Sequence, residues 1–63
     1  MTISSDDIAR AEKLAEELHD LTAAMISESS DYDATRLLKR SEAELMDLRH
    51  NLSLIQRLLT EQQ

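Results

Sequence analysis

Apolar residues recur at three- and four-residue intervals along almost the whole chain. From Ile8 to Met25 the series Ile8, Ala11, Leu14, Ala15, Leu18, Leu21, Thr22, Met25 keeps the spacing of one helical face. With Ala11, Leu18 and Met25 at heptad position a, Leu14 and Leu21 fall at d and Ile8, Ala15 and Thr22 at e, a stripe wide enough for bundle packing. From Leu38 onward Leu38, Ser41, Leu45, Leu48, Leu52, Ile55 and Leu59 form an unbroken heptad run with leucine at every a position.

The two runs are separated by Ser27-Glu28-Ser29-Ser30-Asp31-Tyr32-Asp33, whose serines and aspartates compete for backbone hydrogen bonds as caps and turns do. Ser4 or Ser5 is suited to cap the first helix, with Asp6 and Asp7 at the positive end of its macrodipole. Ser30 or Asp31 is suited to cap the second, Ser30 with Asp33 making a weak capping box. One continuous helix is the competing arrangement, since the chain has neither Gly nor Pro to enforce a stop. However, Met25 and Leu38 are 13 residues apart, one short of two heptads, so a single stripe would slip there.

The expected fold is therefore all-α: an antiparallel, coiled-coil-like hairpin in one domain, residues 1–63. Its first helix runs over about 5–27, its turn over about 28–31 and its second helix over about 31–61. The expected helix–helix core is Leu14, Leu18, Leu21, Met25, Leu38, Leu45 and Leu48. Two helices cover only one side of each stripe, so a four-helix bundle, reached by dimerisation or by a partner's helix, would complete the packing.

Composition supports helices and limits what the fold can do alone. Eleven Leu and seven Ala dominate the apolar set, whereas β-branched and aromatic residues amount to four Ile, four Thr and one Tyr, with no Val, Phe or Trp. A chain of 63 residues buries only roughly 60% of its unfolded surface. Without Cys it has no disulfide to compensate, and a reducing, cytoplasmic setting is expected. No stretch reads as a secretory leader or as a membrane span.

The net charge of −6 disfavours direct binding to nucleic-acid phosphates. Residues 1–33 carry nine acids and two bases, and residues 34–63 four acids and five bases, so the first helix is the acidic one. Asp6, Asp7, Glu12, Glu16, Glu17 and Asp20 form its candidate acidic face. Arg36, Lys39 and Arg40 cluster early in the second helix, where the macrodipole disfavours positive charge, so pairing with nearby acids or a small basic contact patch is expected.

Few residues suggest chemistry. Glu16 with His19 and Asp47 with His50 have the Glu/Asp-x-x-His spacing used in metal-binding bundles, but the heptad frame places all four on outer faces, so no metal site or cofactor is expected. There is no Cys nucleophile, no Ser with a base placed by sequence and no Gly-rich phosphate loop, so neither catalysis nor a small-molecule substrate is expected. Ser41, alone among apolar seam positions, is expected to bond the carbonyl four residues back or to mark a close contact.

The expected function is a non-catalytic protein-interaction module, such as an adaptor, co-chaperone or small regulatory subunit, that binds a partner helix through an apolar seam. The longer second helix overhangs the first and is apolar over most of its circumference at its end. That makes Leu52, Leu54, Ile55, Leu58 and Leu59, with Tyr32 at the turn, the expected partner-binding residues. The alternative is an acidic inhibitor of phage or mobile-element type whose first helix occupies a basic nucleic-acid site on a larger protein.

Overall fold

The computed structural model describes residues 3–61; residues 1, 2, 62 and 63, included in the expected single domain, lie outside the described part. Two helices, α1 (Ser5–Glu28) and α2 (Tyr32–Glu61), pack antiparallel into a rod of 48 × 17 × 14 Å. Among the described residues there is no strand.

Local chemistry accounts for each helix boundary. Ser4 is extended, and its Oγ accepts a hydrogen bond from the Asp7 amide at 3.4 Å, with Asp6 and Asp7 in the first turn. After Glu28 the backbone at Ser29 is again extended, so the chain leaves α1 without a left-handed residue and needs no glycine. Of the two residues suited to capping α2, Asp31 does so: its Oδ1 accepts from the Ala34 amide at 2.9 Å, and its carbonyl accepts from the Thr35 amide at 2.9 Å. Ser29 Oγ accepts from the Asp31 amide at 3.4 Å and lies 2.7 Å from Thr35 Oγ1, tying the turn to the second helix.

The side of α1 that meets α2 differs from the expected one. Its most buried residues are Thr22 (3% exposed), Ala15 (5%) and Ile8 (7%), the e-position edge of the apolar stripe. Leu14 (58%), Leu18 (49%) and Leu21 (57%) are exposed, as are Met25 and Leu48, so these five are not the core of the hairpin. Leu38 and Leu45 do lie on the seam, half-buried, with Leu52 and Leu59. Ala15 and Thr22 are small enough to sit buried against α2, which supplies a leucine every seventh residue to fill the seam. Thr22 suits this place because its Oγ1 donates to the Leu18 carbonyl at 2.8 Å, leaving no unpaired hydroxyl against α2.

A hydrogen bond from Gln56 Nε2 to Ser5 Oγ, 2.9 Å long, crosses between the helices and fixes their register. Counting inward from it, Glu12 is level with Arg49, His19 with Glu42 and Ile26 with Thr35, and all six side chains are half-buried. The seam thus alternates polar layers with layers in which a small or apolar residue meets leucine. Glu12 and His19 therefore face α2 instead of pointing outward, because closure on the e edge carries position b inward beside it.

An Ala15→Leu change inserts three carbons into the closest part of the seam. It is expected to lower stability by about 1–3 kcal/mol, whereas Ala24→Leu, at an exposed position, should stay within about 0.5 kcal/mol. Urea unfolding followed by circular dichroism checks both.

Candidate functional site

Closing the hairpin on its e edge leaves the larger apolar side chains of α1 on one long flank of the rod. Leu18, Met25 and Leu48, with the groove sides of Thr22, Leu38, Ser41, Glu44 and Leu45, line an open depression of about 420 Å³ between the helices. In the heptad frame Leu14 and Leu21 lie beyond this groove on α1, in line with Asp7 and Glu28, and Leu37 and Leu58 stand at the two ends of the outer row of α2, with Glu44 and Asn51 between them. All four of these leucines are exposed. Ser41 is exposed in the groove, and among the described residues its hydroxyl makes no bond to the carbonyl four residues back. The back-bonded hydroxyls are on Thr22, Thr35 and Thr60.

The residues expected to bind a partner are dispersed. Leu52, Ile55 and Leu59 are half-buried on the seam; Leu58 joins the apolar flank; Leu54 is exposed on the side of α2 turned away from α1. Tyr32, the first residue of α2, is 81% exposed at the opposite end of the rod. The apolar surface is thus broader than the C-terminal end and runs along both helices. Its α1 half is not legible from periodicity, which places Leu14, Leu18, Leu21 and Met25 in the core.

The other flank is polar. Glu12, Glu16, Met46, Arg49, His50 and Ser53 line a depression of about 410 Å³ there. The six acids expected to share a face are spread around α1: Glu12 and Glu16 border Arg49 and His50, while Glu17 is on the side turned away from α2. Among the described residues the one ion-pair contact within 4 Å is His19 Nδ1 to Asp20 Oδ1, at 3.9 Å. The pairing expected for Arg36, Lys39 and Arg40 is therefore not formed; Arg36 and Lys39 instead line a small depression with Tyr32 and Thr35. Glu16, Asp47 and His50 are exposed and His19 is half-buried on the seam. No group of three metal-ligating side chains occurs among the described residues.

No helix among the described residues is long and apolar enough to cross a membrane. No protein-family model matches the chain, and comparison with curated proteins and with solved structures returns no match.

His19 Nε2 is buried without a hydrogen-bond partner. An unpaired buried polar atom costs about 1–3 kcal/mol, so His19→Leu, which replaces it with an apolar side chain, is expected to stabilise the hairpin by about 1 kcal/mol. A rise in the urea unfolding midpoint is the expected result; a fall would mean that the nitrogen is satisfied in solution.

Proposed function

We propose that this chain is a non-catalytic helix-docking module, whose hairpin presents a two-helix-wide apolar flank to a protein partner. The observation that carries the reading is the row Leu14, Leu18, Leu21 and Met25: large apolar side chains on helical spacing, left exposed beside a groove that Leu48 borders from the other helix. Single exposed leucines are ordinary on protein surfaces, whereas a contiguous apolar strip with a polar opposite flank is characteristic of an interaction site. Recognition follows the helix-in-groove mode, with anchors at i, i+3, i+4 and i+7.

Two features support a purely associative role. The polar flank is open and shallow, and the side chains lining it include no activated nucleophile. The groove of the apolar flank holds one charged lining residue, Glu44, and Asp7 and Glu28 stand at the ends of the flank, so docking at its middle desolvates little charge. The second reading, an acidic inhibitor of a basic nucleic-acid site, draws less support from the geometry, since its acids point in several directions and two border Arg49.

Photo-cross-linking in expressing cells tests the docking reading. A photoreactive amino acid is placed at Leu21 or at Met46, which are equally exposed at 57% and 58% but sit on opposite flanks. Docking predicts a protein adduct from position 21 at least several-fold stronger than from position 46. Absence of an adduct at position 21, or equal adducts from both, overturns it.

A further inference from the structure

We infer that the occupant of the apolar flank is a second copy of this chain, stacked face to face to give a four-helix bundle; this rests on the docking reading above. The first argument is shape. The flank has inner rows beside the groove, Leu18 and Met25 on α1 and Leu48 on α2, and outer rows, Leu14 and Leu21 on α1 and Leu37 and Leu58 on α2. Measured around α1 from the midpoint of Ala15 and Thr22, the inner row lies at about 50–70° and the outer row at about 90–110°. A single helix laid in the groove covers the inner rows and leaves the outer leucines in water. A layer of two helices, one over each helix of the hairpin, covers both, and neighbours at right angles around each helix are the geometry of a four-helix bundle. The chain is itself such a layer.

The second argument is area. The isolated chain exposes 5233 Å². A compact monomer of its mass, 7.2 kDa, is expected to expose about 4,100 Å². The excess of roughly 1,100 Å² exceeds the approximately 800 Å² per partner that a stable interface removes. The excess belongs to the whole 48 × 17 × 14 Å rod, and pairing two rods along a long face gives a thicker, more compact body.

The third argument is charge. A molecule with a net charge of −6 resists self-association unless its acids stay outside the interface. Here Asp6, Glu12, Glu16 and Asp20 project from the polar flank or the back of α1, away from the leucine rows. Two copies therefore meet through the apolar middle of α1, with Glu44 at the groove and with Asp7 and Glu28 at the two ends of the Leu14–Leu21 row, where charge stays at the rim.

The test is the mass of the purified, untagged chain in solution by sedimentation equilibrium over a concentration series, with circular dichroism at each concentration. The wild-type chain is expected at twice its 7.2 kDa mass. Leu21→Asp on the outer row should weaken the dimer at least tenfold, whereas Met46→Asp on the polar flank should leave it within about twofold. Because loss of the dimer could also unfold the hairpin, Leu21→Ala serves as the milder variant and should weaken the dimer in the same direction while helicity persists. A folded monomer throughout the series overturns the inference, as does a dimer that responds to Met46→Asp but not to the Leu21 changes. A folded monomer that still gives a protein adduct from position 21 in cells refutes self-assembly and leaves the docking reading standing. Loss of the position-21 adduct refutes docking itself.

Discussion

The two helices meet closely along Ile8, Ala15 and Thr22, one buried residue every seventh position, and that contact decides which way every other side chain of α1 points. Two of the three are small, and the seam is filled from the other side by Leu38, Leu45 and Leu52. If the leucines of α1 had taken the seam instead, the hairpin would be a self-sufficient two-stranded coil with a small, weakly apolar outer surface. With small residues inside, the apolar mass of α1 is displaced to the flank, where nothing in the chain covers it. Close packing within the hairpin and an uncovered flank are thus two results of one choice of closing edge.

The polar layers of the seam fit the same picture. Half-buried Glu12 and Arg49 are level with each other, as are His19 and Glu42, and Gln56 is level with Ser5, yet no ion pair within 4 Å joins the helices among the described residues, and His19 Nε2 and Gln56 Oε1 lack partners. Such layers contribute little to stability. They specify register, because sliding α2 by one turn would set Glu12 and His19 against leucines, and the Gln56–Ser5 hydrogen bond holds the ends in place. A hairpin whose internal seam contains so much polarity depends for stability on burial elsewhere, as expected of a chain of this size.

Helices, turn and topology were legible in the sequence because they depend on local signals. Ser4 and Asp31 are caps by chemistry, and the helix limits of 5–27 and 31–61 agree with Ser5–Glu28 and Tyr32–Glu61 to within one residue. The rotation of α1 about its axis was not legible from periodicity, which marks a stripe three positions wide without saying which edge meets the neighbouring helix. Weighting by hydrophobicity favours Leu14, Leu18 and Leu21, while steric fit between helices favours Ala15 and Thr22, and steric fit prevails. A signal was present: Ile8, Ala15 and Thr22 repeat in sevens opposite a leucine run that also repeats in sevens, a small-against-large match across two helices. The expected docking residues were partly displaced for the same reason, since Leu52, Ile55 and Leu59 sit on the seam and the exposed apolar surface runs along both helices.

The central claim, that α1 turns its small residues toward α2 and its leucines away, is tested most directly by isotope-filtered nuclear Overhauser contacts in an equal mixture of labelled and unlabelled chain. The account predicts contacts within one chain from the Thr22 methyl to Leu38 and Leu45, with which it shares the groove, and none within one chain from Leu14 or Leu21 to the leucines of α2. Strong contacts within one chain from Leu14 and Leu21 to Leu45 and Leu48, with Thr22 silent, would contradict it.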